Sequence, residues 1–388
     1  MRNEPKETRE LLQVRIDGLN DLGEGLAAGE RGLPPIPTTL PGEEVTIEIV
    51  SRKRRSFCRV LEISTPSPER ILPLCPYFGE CSGCQWQHVS YARQLEIKSL
   101  GIKEALLPAG IEEERVLPII SSPETLYYRN HARFTVREGV PGFVNRQSRH
   151  FVPVTSCLLM NKKINAALES LSGCCAETAH LSIRCGSATG EVLIQPEIKT
   201  AGIPTGQSFY HEVLSGHRFQ VSAASFFQVN TQGAEKIIEV MGQWVKGSNL
   251  LVDSYAGVGT FSLAFSGMAE KVIAVEESSA ACQDAARNLD GVKNVRLIKG
   301  KAEEVMKETE EHPDVVILDP PRAGCLEEML RALLTLLPPK IVYVSCNLTT
   351  LVRDIKALSP TYKVSEVQPV DLFPYTYHME CVTVLEIR

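Results

Sequence analysis

Four short stretches of this chain carry side chains able to act on one substrate together. Cys346 stands in Ser345-Cys346-Asn347, directly after the apolar run Ile341-Val342-Tyr343-Val344. A run that short, rich in β-branched and aromatic residues, reads as a buried strand. The thiol is then delivered at a strand's carboxyl end, where open α/β sheets build their sites. Upstream, another apolar run ends in Asp319-Pro320-Pro321-Arg322-Ala323-Gly324, whose two prolines fix an extended backbone and would present Asp319 rigidly at a cleft. Further back, Asp253-Ser254-Tyr255-Ala256-Gly257-Val258-Gly259-Thr260 closes a strand and opens a helix, and its glycines permit a tight turn with close backbone approach by a ligand. Glu276 ends the next strand, about 20 residues on, where a carboxylate accepts hydrogen bonds from ribose hydroxyls. The third glycine of the dinucleotide fingerprint is missing, which favours an adenosyl ligand over NAD. Glu380, in His378-Met379-Glu380-Cys381-Val382, precedes the last apolar run.

This set allows covalent chemistry. A cysteine attacks as its thiolate, favoured by a helix N-terminus or a nearby cation. Residues Leu348–Leu358 have helical spacing, so their dipole would act on Cys346. A positioned, partly desolvated carboxylate at the same edge can take a proton from carbon, the role open to Glu380. His378 is a candidate substrate contact. A separate group, Cys75-x5-Cys81-x2-Cys84 with Gly79 and Gly83 in its turns, forms a three-thiolate loop. Cys157 is the best placed fourth ligand. Four thiolates suit a structural zinc or an iron–sulfur cluster, and the spacing lacks the paired CxxC elements of a zinc ribbon.

The elements that must position these groups follow from periodicity. Residues 11–63 alternate in short strands punctuated by Gly18, Gly23, Gly25 and Gly29 and by a proline-rich stretch, the pattern of a small OB-type barrel. Ser64-Thr65-Pro66-Ser67-Pro68 reads as a linker. Residues 75–214 mix a helical period at 91–106 with strand-like runs, which predicts an α+β middle domain. Beyond residue 219, strand runs at Leu250–Asp253, 272–275, 295–298, Val315–Leu318 and 341–344 alternate with helical runs such as 279–289 and 326–337. Runs 363–367 and 381–387 have no helix between them. This predicts a doubly wound parallel sheet ending in an antiparallel pair, with a ligand over the strand carboxyl ends.

Bulk properties bound the rest. The 388 residues suggest two or three domains at roughly 100–200 residues each. Residues 1–10 are charged and polar, unlike a signal peptide, and no apolar stretch reaches the about 20 residues of a membrane span. The 12 cysteines are scattered, and a cytoplasmic setting would keep them reduced. A net charge of −6 argues against a globally basic nucleic-acid binder but leaves local surfaces open. One is Arg52-Lys53-Arg54-Arg55 with Phe57 and Arg59. The other holds Arg129, His131, Arg133, Arg137, Arg146, Arg149 and His150, opposed only by Glu138.

Taken together, these residues resemble the RNA uracil-5-methyltransferases, which use S-adenosylmethionine. The resemblance runs over nearly the whole chain and is specific in Ser225-Phe226-Phe227-Gln228-Val229-Asn230, the glycine-rich turn, Asp319-Pro320-Pro321-Arg322, Ser345-Cys346-Asn347 and His378-Met379-Glu380. Members with an N-terminal TRAM barrel, an OB-like RNA-binding module, and a four-cysteine [4Fe–4S] site are most similar. The resemblance implies a TRAM barrel at residues 1–64, a middle domain at 70–215 and a Rossmann-like class I methyltransferase domain at 216–388. It implies that Cys75, Cys81, Cys84 and Cys157 hold the cluster, that Gln228, Tyr255, Glu276 and Asp319 contact the methyl donor, and that a monomer acts on RNA, with 23S rRNA favoured over tRNA. It also implies the reaction: Cys346 adds to carbon 6 of a uracil, carbon 5 takes the methyl group, and Glu380 removes the carbon 5 proton.

Three other readings compete. Amino-group methyltransferases share an Asp-Pro-Pro loop but need neither Cys346 nor Glu380. A cytosine-5 RNA methyltransferase would carry a second thiol near that loop, where Cys325 stands. A non-catalytic RNA-binding or redox-sensing protein would have no need of Cys346, Glu380 and Asp319 together.

Overall fold

The computed structural model describes residues 7–388 except 21, 28, 30, 31, 53 and 54. At the N-terminal end, β1 (Glu7–Leu19), β2 (Gly25–Ala27), β3 (Glu44–Arg52) and β4 (Arg55–Thr65) form an antiparallel sheet in the order β2-β1-β3-β4. Its inward positions, among them Ile16, Ile36, Val45 and Ile47, make a small apolar core. Where a barrel is expected, the described residues form an open four-stranded sheet with no ladder joining β2 to β4. Cys58 of β4 packs in this core and donates its thiol hydrogen to Pro34 O in the connection between β2 and β3 (3.3 Å). The expected linker is tied down, because Ser67 N donates to the buried Glu43 Oε1 (3.1 Å) and Arg70 grips both oxygens of that carboxylate (2.6 and 2.8 Å).

After the cysteine loop comes α1 (Tyr91–Leu106), capped by Ser90, whose side chain accepts from Arg93 N. Next are β5 (His131–Arg137), β6 (Val140–Val144), β7 (Phe151–Pro153), α2 (Lys162–Leu171), β8 (His180–Cys185) and β9 (Val192–Gln195). The five strands pair antiparallel in the order β7-β6-β5-β8-β9, and α2 covers one face. The hairpin β10 (Phe209–Leu214) and β11 (His217–Ser222) and helix α3 (Thr231–Val245) lead into the last unit.

That unit runs β12 (Leu250–Asp253), α4 (Thr260–Ala264), β13 (Lys271–Glu276), α5 (Ser279–Asn288), β14 (Val295–Lys299), α6 (Ala302–Glu308), β15 (Val315–Leu318), α7 (Glu327–Leu336), β16 (Lys340–Ser345), α8 (Leu348–Leu358), β17 (Tyr362–Val370) and β18 (Glu380–Ile387). The seven strands order as β14-β13-β12-β15-β16-β18-β17, parallel except β18, which runs against both its neighbours. This is the predicted doubly wound sheet with its terminal antiparallel pair. The strands β12 and β15 are buried along their whole length because helices cover both faces.

Helix α1 departs from the middle-domain expectation. Its Ile102 and Leu106 join α6, α7 and α8 in the core on one face of the seven-stranded sheet. The chain after it runs along the outer edge of β17, where Leu117 N donates to Val367 O (2.9 Å) and Ile120 N to Pro369 O (3.0 Å). An exposed edge is thereby covered. Periodicity reports that a helix has an apolar stripe but not which sheet receives it. No helix among the described residues is long and apolar enough to cross a membrane.

The N-terminal sheet is seated on the cysteine loop through the buried Trp86, whose Nε1 donates to Gly23 O (3.3 Å). Gly23 has φ +70°, and a Cβ there would lie 1.9 Å from Trp86 Nε1. Gly23→Ala is therefore expected to destabilise by about 1–3 kcal/mol through overpacking. A lower urea midpoint, with faster trypsin cleavage before residue 70, is the measured outcome.

Candidate active site

A cavity of about 1300 Å³ opens over the carboxyl edge of the seven-stranded sheet. Cys346, Glu380, Gln228, Tyr255, Glu276 and Asp319 all line it, and so do Cys75, Cys81, Cys84 and Cys157. Residues scattered from position 75 to 380 thus share one space, because the cysteine loop folds back over the strand ends.

On the donor side, the chain turns from β12 into α4 through Gly257 (φ +56°) and Gly259 (φ +88°), conformations that favour glycine. Gly257 N donates to Glu276 Oε2 (2.8 Å) and Ser278 N to Glu276 Oε1 (2.7 Å). The carboxylate is fixed by backbone donors and keeps lone pairs for a ligand's hydroxyls. Ser254 Oγ, at the same edge, is buried without a hydrogen-bond partner. Gln228 sits opposite on a segment anchored by Asp284, which accepts from Ser222 Oγ and Ser225 Oγ (2.6 Å each).

On the reacting side, β15, β16 and β18 bring Asp319, Cys346 and Glu380 to one wall. The register makes this exact neighbourhood, pairing Ser345 with Cys381 and Leu318 with Tyr343. Three carboxyl groups crowd here. Asp253 is pushed up to about 6 by burial, with one oxygen accepting from Ser262 Oγ (2.6 Å) and the other unpartnered. Asp319 is pushed up to about 7, by burial first and then by the charge of Asp253. Burial, reinforced by Asp319 and opposed by Arg322, raises Glu380 well above the ordinary carboxylate range. Poorly solvated carboxyls coupled in sequence, Asp253 to Asp319 and Asp319 to Glu380, disfavour joint ionisation without a countercharge.

The cation acting on Glu380 and Cys346 is Arg322, which the sequence reading left without a role. Its carbonyl is fixed by Asn347 Nδ2 (3.0 Å), so the residue after Cys346 orients the arginine loop. Its guanidinium lies 3.4 and 3.5 Å from the two ring nitrogens of His378. Burial, then this cation, depresses His378 to about 4, leaving the ring neutral near pH 7. Asn347 does cap α8, its side chain accepting from Thr349 N, yet the thiol is raised above its ordinary value by burial and by the charges of Glu380 and Asp319, with Arg322 opposing.

Cys325 does not line this cavity. It is buried in the core beneath Tyr255 and Tyr343 and pushed up to about 12 by burial. The second thiol expected of a cytosine-5 enzyme therefore faces away from the reacting wall. Phe226 was named only within a motif, yet it stands 68% exposed at the cavity. Its signal in the sequence was an aromatic pair in a polar loop, one ring of which, Phe227, is core.

Among the nominated thiols, burial first and then the charges of Cys157 and Cys75 push Cys81 up to about 11, and Cys84 and Cys157 also rise through burial. Among the described residues no three His, Cys, Asp or Glu side chains are gathered tightly enough for a single metal ion. Of the basic residues, Arg129, His131, Arg133 and Arg146 line the cavity, whereas Arg137 lies over the ring of Phe151 (5.1 Å). In the other basic run, Lys53 and Arg54 lie outside the described residues, and Arg55 and Arg59 are exposed on β4.

If Arg322 is the cation that favours the Cys346 thiolate, Arg322→Met should move alkylation of Cys346 by iodoacetamide to higher pH. The rate rises as the thiol deprotonates, so at a fixed pH near 8 the variant should react several-fold more slowly. An unchanged pH profile, read by mass spectrometry of the Cys346 peptide, would remove that role.

Residues 210–388 match the tRNA (uracil-5-)-methyltransferase family. An uncharacterised RNA methyltransferase of Thermosynechococcus vestitus is 32% identical over 96% of this chain and 97% of its own length. Another, from Caldanaerobacter subterraneus, is 33% identical over 97% of this chain and 98% of its own length. The crystal structure of a Pyrococcus abyssi tRNA (uracil-54, C5)-methyltransferase in complex with S-adenosyl-L-homocysteine superposes with a TM-score of 0.77 at 25% identity, covering 96% of this chain and 100% of that one. Cavity, sheet order and end-to-end likeness converge, and the chain belongs to the RNA uracil-5-methyltransferase family.

Proposed function

We propose that this protein transfers a methyl group from S-adenosylmethionine to carbon 5 of a uridine in RNA, through a covalent adduct on Cys346. The observation that carries the reading is the wall shared by Cys346, Arg322 and Glu380, facing the Glu276 turn across one cavity. Carbon 5 of uracil is too weak a nucleophile to take a methyl group unaided. Cys346 Sγ, as thiolate, adds to carbon 6, and the electrons of the carbon 5–carbon 6 double bond pass into an enolate. Carbon 5 then takes the methyl group, whose bonding electrons stay on the donor sulfur. Glu380 removes the proton from carbon 5, the double bond re-forms, and the thiolate leaves. A carboxylate whose proton affinity is raised by burial is a stronger base for that step once ionised.

The residues present fit the donor: Glu276 would accept from the ribose hydroxyls, and the unpartnered Ser254 Oγ and the Gly257 turn suit a polar ligand. Gln228, Tyr255 and Asp319 would complete its contacts. The target base must leave its stack at a cost of a few kcal/mol unless it lies in a loop. Arg129, Arg133 and Arg146 at the cavity, with the N-terminal sheet as a TRAM-type module, would hold the flanking backbone. The residue resemblance favours ribosomal RNA, whereas the matched family and the Pyrococcus relative favour transfer RNA.

The thiol set fits an iron–sulfur cluster better than a lone ion. Among the described residues no three His, Cys, Asp or Glu side chains are gathered for a single ion, and the spacing lacks the paired CxxC elements of a zinc ribbon. Gln87 Nε2 donates to Cys84 Sγ (3.2 Å), and backbone N–H groups of Gly83 and of Leu159 and Met160 point to Cys81 and Cys157, the outer-shell donors that cluster thiolates require. Cys75, Cys81, Cys84 and Cys157 would hold a [4Fe–4S] cluster, which would brace the cysteine loop.

Methyl transfer from labelled S-adenosylmethionine to ribosomal and transfer RNA fractions, digested to nucleosides, tests the reaction. Label is expected in 5-methyluridine, and the labelled fraction names the substrate; label in another nucleoside would overturn the reading. Cys346→Ala should abolish transfer while donor binding persists. Glu380→Gln should slow turnover roughly 10²–10⁴-fold and accumulate a protein–RNA adduct that survives a denaturing gel. Anaerobic reconstitution with iron and sulfide should give visible absorption and about four irons per chain, lost in Cys81→Ser and Cys157→Ser; equal iron in those variants would reject the ligand set.

A further inference from the structure

The connection between β17 and β18, residues 371–379, delivers Phe373, Thr376, Tyr377, His378 and then Glu380 to the cavity. Most bonds that fix it come from outside the sheet. Helix α1 buries the stripe Gln94, Lys98, Ile102 and Leu106. Its second half is apolar and packs in the core, but its first half buries an amide and an ammonium, costly unless each meets a specific partner. Lys98 Nζ donates to Asp371 Oδ1 (2.8 Å) and to Phe373 O (3.2 Å). Both members of the pair are within 1% of complete burial. Asp371 follows Val370, whose register partner across the ladder is Glu380. The ion pair therefore pins the connection at its root, opposite the base.

Gln94 holds the middle of the same connection. Its Oε1 accepts from Tyr375 N (2.8 Å) while its Nε2 donates to Trp86 O (3.0 Å) and Val89 O (2.9 Å). Tyr375 O accepts from Gln85 N (2.9 Å) and Trp86 N (3.1 Å). Tyr375 has φ +66°, a left-handed conformation that a residue with a side chain adopts only when its surroundings impose it. Three external hydrogen bonds supply that imposition.

We propose that Gln94 and Lys98 of α1 are positioning residues for Glu380: they hold the β17–β18 connection in the one conformation that aims the base at carbon 5. This rests on the assignment of Cys346 and Glu380 above. Neither residue touches the reacting atoms, and the step they serve is proton removal with expulsion of the Cys346 thiolate.

The test uses Gln94→Met, a neutral replacement of similar length, and the paired Lys98→Met/Asp371→Leu, which removes the ion pair without leaving a buried charge. Both are assayed beside wild type for 5-methyluridine, for KM of S-adenosylmethionine, and for protein–RNA adduct on denaturing gels. The expected result is a fall in kcat of tenfold or more, KM for the donor within twofold of wild type, and accumulation of a methylated adduct, because addition and methyl transfer proceed while elimination stalls. Folded variants with wild-type kcat, or with reduced kcat and no adduct, would overturn the proposal. Loss of folding in both would make α1 a folding element and overturn it equally. Absence of 5-methyluridine from wild type would instead reject the reading of the reaction on which the proposal stands.

Discussion

In the seven-stranded sheet, β18 runs antiparallel to β16 and pairs Cys381 with Ser345. That reversal puts the first residue of β18 at the edge where β15 and β16 end. Side chains from strand ends and from a strand beginning then meet on one wall, with no long loop needed to fetch any of them. Had the last strand run parallel, its first residue would lie at the opposite edge. Backbone pairing, the stiffest constraint available to a chain, thus sets the spacing of thiol, aspartate and glutamate, and loops only adjust their aim.

The wall bought by that geometry is electrostatically crowded. Burial raises Asp253, Asp319 and Glu380, the charge of Asp253 adds to the rise of Asp319 and that of Asp319 to the rise of Glu380, and Arg322 is the cation that opposes the rise at both Glu380 and Cys346. The same burial that hinders ionisation would strengthen each group in the proposed reaction, since a desolvated carboxylate is a better base and a desolvated thiolate a better nucleophile. Asn347 links the two halves of this arrangement. Adjacent to Cys346, it caps α8 and fixes the Arg322 carbonyl, so the thiol and its cation are set by one helix turn.

Much of this was legible in the residues. Leu250–Asp253 and Val315–Leu318 are strands with the bounds that their apolar runs suggested, because strands covered on both faces show uninterrupted apolar character. The glycine turn and the strand-end positions of Asp319 and Cys346 followed from local rules. What stayed hidden depends on distant packing. The stripe of α1 could have faced either sheet, and the cysteine loop gave no sign that its Gln85 and Trp86 amides would meet Tyr375. Arg322 read as part of a stiff loop, since its charge acquires meaning only beside groups far off in sequence. The raised thiol of Cys346 was missed for the same reason: a helix dipole is a local property, whereas desolvation belongs to the assembled cavity.

The contact between Lys98 and Asp371 joins residues 273 positions apart. At translation speeds of about 5–20 residues per second, α1 emerges from the ribosome tens of seconds before the strands that receive it. Throughout that interval its stripe has no sheet to cover it. A stripe of four leucines would invite aggregation, whereas Gln94 and Lys98 keep half of it wettable until β17 and β18 arrive. Polar groups that later hold a turn in place first serve as the solubilising half of a waiting helix, and synthesis of the last strand is the event that ends the wait.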